Sequence, residues 1–227
     1  MSILIKSAKI IDASSKFNGK TKDIFINQGI IQEIGDSIEK KSAKEIKLDN
    51  LHVSQGWLDT SVSFGEPGME ERETIENGSL TACLSGFTDI ILNSNTLPVI
   101  DSKADIIYVQ SKNKNNALKI HPLGALTLKS EGSEMAELRE MFDSGAIGFY
   151  DYKMSVKNPN LLKTALQYVQ HFDGLIMTFP FEKSICKGGQ INEGEISTLY
   201  GLEGIPSLSE EIILERDLKI LEYTGGK

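Results

Sequence analysis

Residues 56–68 read Gly56-Trp-Leu-Asp-Thr-Ser-Val-Ser-Phe-Gly-Glu-Pro-Gly68. Trp57 opens the first of five apolar, strand-like runs, which begin near Trp57, Phe87, Leu118, Ala146 and Leu175. Successive starts are 30, 31, 28 and 29 residues apart. Helical patterns fill the gaps. Met135, Leu138 and Met141–Phe142 follow the helical period, as do Leu162, Ala165, Leu166 and Val169 behind the cap-like pair Asn158-Pro159. Ser207-Leu-Ser-Glu210 has capping-box spacing and opens a helix through Leu214, Leu218 and Leu221. Strands alternating with helices at this spacing imply βαβ units and a parallel sheet. Five units fit between residue 53 and Lys227. A closed (β/α)8 barrel needs eight in roughly 250 residues, whereas an open doubly wound sheet of five strands would be complete. The pattern leaves both open.

The first fifty residues differ in rhythm. Ile3, Ile5, Ala8 and Ile10 are spaced mostly by two, and Asn18-Gly19 and Asn27-Gln28-Gly29 are turns flanking short strands at Asp23–Ile26 and Ile30–Ile34. A small antiparallel unit is expected, too small to hold a core alone.

Lys+Arg 24 against Asp+Glu 32 gives a net charge of −8. Such a chain repels phosphate backbones, and the lysine clusters at Lys40–Lys41 and Lys112-Asn-Lys114 are too short for a nucleic-acid stripe. No apolar run reaches the ~18 residues of a membrane span, and Met1–Lys6 lacks the pattern of a signal peptide. Cys83 and Cys186 make neither a disulfide framework nor a structural zinc site. A helix position for Cys83, a loop position for Cys186 and a cytoplasmic protein are the expectations. A long loop is expected over Gly188-Gly189 and Asn192–Glu195.

The stretch 56–68 resembles the opening barrel strand of dihydroorotases in the amidohydrolase superfamily, whose motif runs G-[FW]-[IL]-D-x-H-V-H-L-R-E-P-G. The resemblance continues through Glu73-Thr-Ile-Glu-Asn-Gly-Ser79, Ser85-Gly-Phe-Thr88, Asn95-Thr-Leu-Pro98, Gly145–Asp151, Gly204-Ile-Pro-Ser207 and Arg216-Asp-Leu218. It implies a (β/α)8 TIM-type barrel with a small β-sandwich built from both chain ends. The barrel would be incomplete in this chain. Residues 1–52 would supply the N-terminal part of the sandwich and 53–227 the first five β/α units, the remainder following Lys227.

Enzymes of this family use zinc, which acidifies a bound water and polarises the scissile carbonyl. By the resemblance the two histidines of H-x-H fall at Ser61 and Ser63, a further metal histidine falls at or next to Thr178, and the carboxylate-gripping arginine falls at Gly65. Hydroxyls are poor zinc ligands. Asp59, Asp151 and the substrate-type Asn95 remain, while the second member of the carboxylate pair is Tyr152. Asp59 and Asp151 are read as remnants kept to accept backbone N–H bonds. His52, His121 and His171 share no ligand spacing. The implied function is therefore that of a dihydroorotase-like protein of pyrimidine biosynthesis, without catalysis or bound cofactor, and a structural partner of aspartate carbamoyltransferase. Homo-oligomerisation is also expected. Two alternatives stand beside it: an active, zinc-dependent cyclic amidohydrolase with an altered metal site, and a small-molecule-binding module using Asn95.

Overall fold

The computed structural model describes residues 2–112, 117–186 and 188–227, so Lys114 of the second lysine cluster lies outside the described residues. The chain divides between Gly56 and Trp57. The division falls after residue 52 because His52–Ser54 is itself a strand paired with the first strand.

The first unit is a five-stranded sheet of β1 (Ser2–Ile11), β2 (Thr21–Asn27), β3 (Ile30–Gly35), β4 (Lys44–Ile46) and β5 (His52–Ser54). It is mixed rather than antiparallel: β1–β2–β3 is an antiparallel meander, but β4 and β5 both run parallel to β1. Gln28 and Gly29 link β2 to β3 with φ of 50° and 78°, the two positive values that a two-residue hairpin of matching twist requires. The buried residues of β1 are Leu4, Ala8 and Ile10 rather than Ile3 and Ile5. A bulge between Ile5 and Ala8, with Ser7 at φ 54°, changes the phase that simple alternation would give. Asp23, 2% exposed, holds this bulge by accepting from the N–H groups of Ser7 and Ile38 and from Lys6 Nζ.

The second unit carries five parallel strands, β6 (Trp57–Val62), β7 (Phe87–Leu92), β8 (Lys119–Gly124), β9 (Gly148–Tyr150) and β10 (Ile176–Met177), hydrogen-bonded in chain order. Between them lie α1 (Ile75–Leu84), α2 (Lys103–Lys112), α3 (Leu138–Asp143) and α4 (Pro159–Val169). A doubly wound sheet would reverse its strand order at a switch point; strictly sequential order is that of a (β/α)8 barrel, of which this is an incomplete one. Ile90, Leu92, Ile120, Phe149 and Ile176 form the sheet's side of one core. Ile106, Val109, Leu138, Met141 and the Leu162–Val169 face pack on it from the helices. Asn158 caps α4 through the Asn160 N–H at 2.9 Å, and Pro159 sits in the first turn.

Three local expectations change. Met135 is not helical but bridges to Thr127 ahead of α3. The excursion after β10 is structured: β11 (Ile191–Asn192) and β12 (Gly204–Ile205) pair in parallel around α5 (Glu195–Tyr200). The capping box of α6 (Leu208–Thr224) does not form, because Ser207 already has helical dihedrals and its side chain makes no cap bond. Helix α6 buries Ser209, Ile213 and Asp217, leaving Leu214 and Leu218 about half exposed. No described helix is long and apolar enough to cross a membrane.

Candidate functional site

Polar side chains gather where β6 and β7 end. Ser61 and Ser63 stand two apart, and Asn93 and Asn95 follow the apolar end of β7 with the same spacing. The buried Asn93 amide donates to both serine hydroxyls, at 3.1 Å to Ser61 and 3.2 Å to Ser63. Ser63 Oγ donates in turn to Asn95 Oδ1 at 3.0 Å. Neighbouring Ser94 ties the end of β7 to β9 through the Tyr150 carbonyl at 2.9 Å. The Tyr152 hydroxyl is held below its usual range chiefly by the polar influence of Ser63, with Lys153 and Arg72 adding to it against the effect of burial. The structure thus joins Ser61, Ser63, Asn93 and Asn95 in one hydrogen-bonded network. Asn93 is the member that the resemblance does not single out. The signal for Asn93 was available: it is a polar residue continuing the alternation of a strand that is otherwise apolar at Ile90–Leu92.

The remaining candidates lie elsewhere. Three steps of β6 from Asp59 to Val62 match two steps of β7 from Ile90 to Leu92, so a bulge interrupts β6. Asp59 is therefore in register with Ile90, off the face expected of it by alternation, and lines a cavity against α1 with Thr81, Ala82 and Ser63. Its carboxylate accepts the Ser61 N–H at 3.0 Å. Asp151, 2% exposed, is spent on the loop after β8. Oδ1 accepts from the N–H groups of Leu126 and Thr127 at 2.9 and 3.0 Å, and Oδ2 accepts from the Thr127 hydroxyl at 2.6 Å. Burial pushes this carboxyl above the usual range, partly offset by those donors. Thr178 lines a groove with Ile176, Leu166, Leu214 and Leu218 rather than the serine cluster.

Gly65 has no room for a side chain. A Cβ there would sit 1.8 Å from the Met69 carbonyl oxygen, because Gly65 and Met69 close a tight turn with a 2.9 Å backbone bond. His121 Nε2 lies 2.8 Å from Asp89 Oδ1, His52 Nδ1 contacts the Asn50 carbonyl, and His171 is exposed beyond α4. Among the described residues no three His, Cys, Asp or Glu side chains converge as a metal site.

The donors at the strand ends do not fit zinc. Two neutral hydroxyls already receive N–H groups from one amide, and the buried Asp151 carboxylate already accepts from two backbone N–H groups and the Thr127 hydroxyl.

Sequential parallel strands, alternating helices and a polar cluster at the carboxyl ends of strands define part of a (β/α)8-type barrel. Solved structures agree on the fold. The L-hydantoinase of Arthrobacter aurescens matches 99% of this chain and 51% of its own, with a TM-score of 0.77 at 18% identity. A dihydroorotase structure matches 96% and 62%, with a TM-score of 0.59 at 12% identity. The family model described as dihydro-orotase-like matches residues 52–227, and the chain belongs to that family. Dihydroorotases of Acetivibrio thermocellus and Pelotomaculum thermopropionicum are 37% and 35% identical to it over 98% and 100% of its length. Those alignments cover 52% and 53% of the relatives, so this chain spans about half their length.

Proposed function

We propose that this chain belongs to a dihydroorotase-like protein of pyrimidine biosynthesis that holds no zinc at Ser61, Ser63 and Thr178, does not turn over dihydroorotate, and serves as a structural partner of aspartate carbamoyltransferase. Family membership supports the pathway. The reading of the site rests on one observation: the Asn93 amide spans the two hydroxyls that stand, by resemblance, in place of the H-x-H imidazoles. Gly65 supports it independently, since its backbone turn leaves no space for a guanidinium-bearing side chain to grip a substrate carboxylate. A barrel that keeps its fold while its chemistry is dismantled is physically ordinary, because packing and site residues are separate sets.

Elemental analysis and a ring-closure assay on carbamoyl-aspartate test the first half of the proposal. No stoichiometric zinc and no chelator-sensitive turnover are expected. Stoichiometric zinc with metal-dependent turnover would overturn it in favour of an active amidohydrolase with an altered metal site. Co-elution with aspartate carbamoyltransferase in size-exclusion chromatography tests the second half, and separate elution at micromolar concentrations of both would overturn that half.

A further inference from the structure

The segments that follow β9 and β10 meet the middle of α6 around a cavity of about 240 Å3. Val156 and Ile213, 2% and 4% exposed, form its floor, and Met154 and the Phe181 ring stand beside them. The polar lining is one-sided: Lys157, Lys183 and Arg216 face the cavity against the single carboxylate of Glu182. Glu182 and the Asp217 carboxylate paired with Arg216 answer two of these three cations, which leaves one positive charge uncompensated in a chain whose net charge is −8.

The bonds these groups make leave the excess on the two lysines. Glu182 Oε1 is occupied by the N–H and hydroxyl of Ser184 at 2.9 and 2.6 Å. Arg216 turns Nε and one Nη2 donor to a single oxygen of Asp217, at 2.9 and 2.7 Å, which commits part of a five-donor fork. Lys183 Nζ rests 3.3 Å from the Met154 thioether, a weak acceptor for an ammonium. Among the described residues, neither Lys157 nor Lys183 has a carboxylate within ion-pair distance. Ammonium and guanidinium groups set over an apolar floor, in an enclosure, gain most from a ligand that brings an anionic head and a flat apolar body together.

We propose that this cavity binds a small aryl anion, its phosphate or carboxylate held by Lys157, Lys183 and Arg216 and its ring lying on Phe181 and Ile213. The site shares no residue with the serine–asparagine cluster and does not depend on whether that cluster binds metal.

Titration of the intact chain with phenyl phosphate, benzoate and inorganic phosphate, followed by calorimetry and by methyl NMR of Ile213, tests the site. Saturable binding of phenyl phosphate is expected, with shifts at Ile213 and affinity that falls as salt rises. Both lysines are exposed, so Lys157→Gln and Lys183→Gln should fold as the parent does and each weaken binding about tenfold or more. Lys20→Gln, an exposed control in the first unit, should leave it unchanged. Inorganic phosphate should bind more weakly than phenyl phosphate, since it lacks the ring. Benzoate binding as tightly as phenyl phosphate would assign the head group as carboxylate, and weaker benzoate would assign it as phosphate. Absence of saturable binding by both aryl anions would overturn the proposal. So would binding indifferent to both lysine variants, or weakened equally by the control.

Discussion

Removing the Asp151 carboxylate should cost the protein a structural element rather than a catalyst. Asp151→Ala takes the acceptor from three donors at once: the N–H groups of Leu126 and Thr127 and the Thr127 hydroxyl, all buried with it. Each donor left without a partner costs about 1–3 kcal/mol. Partial relaxation and water entry make about 3–5 kcal/mol the expected total, as for other buried charged contacts broken from one side. Asp151→Asn keeps one oxygen for the two backbone donors and turns an NH2 toward Thr127 Oγ1, which already accepts from Gly132 N–H at 2.8 Å. A hydroxyl has two acceptor lone pairs, so only one bond is lost and the cost should be about 1 kcal/mol. The sign of the pH dependence follows from burial, which raises this carboxyl above its unfolded value. The folded chain then binds the proton more tightly than the unfolded one. Its stabilising effect is complete below the unfolded pKa and is lost as pH rises through the raised value. The gap between the wild type and Asp151→Asn should therefore widen from pH 7 to about pH 4. Urea unfolding of the three proteins at both pH values measures all of this. An alanine variant within about 1 kcal/mol of the wild type, or a gap that does not change with pH, would refute the reasoning.

Gly65→Ala should lose about 1–3 kcal/mol or more in a thermal melt, because its Cβ would overlap the Met69 carbonyl; an unchanged melting temperature would show that the turn yields freely. Glu66 is 6% exposed, and although burial opposes its ionisation, donors from Tyr108, Lys112 and Ile75 hold its carboxyl below the usual range. Its stabilisation is present above the unfolded pKa and lost as pH falls through the lowered one. Glu66→Gln should thus cost about 1–3 kcal/mol near neutrality and progressively less in acid, and a cost that grows in acid would reverse the argument. Ser61→His with Ser63→His should gain zinc affinity by titration, since it supplies two imidazoles at one strand end. Adding Thr178→His should add nothing, because that residue lines the groove beside Leu166 and Leu218; a further rise in affinity would contradict that placement.

The repeat of strand and helix was legible along the chain because burial imposes its own period on each element. The starts near Trp57, Phe87, Leu118, Ala146 and Leu175 fall within two residues of the strands, and the Leu162–Val169 face is buried as its spacing requires. Periodicity by itself left barrel and doubly wound sheet undivided. Motif order favoured the barrel, and the sequential pairing of β6 to β10 is its structural counterpart.

Side-chain direction was legible only where strands stayed regular. Ser61 and Ser63 meet as their two-residue spacing implies, but Asp59 is turned to the other face by a bulge that no local residue preference announces. The phase of β1 shifted in the same way at Ser7, and the capping spacing at Ser207–Glu210 was overridden when the chain entered α6 already helical. What the amino-acid order determined by itself is the kind and sequence of elements, and the absence of imidazoles from 61 and 63. Tertiary structure decided which polar groups are still available. It spent Asp151 on the backbone of Leu126 and Thr127, set the Asn93 amide between two hydroxyls, and filled the space beside Gly65 with the Met69 carbonyl. The Asp151 and Asn93 hydrogen bonds depend on distances between segments 24 to 32 residues apart, and those distances exist only once the sheet has closed its register.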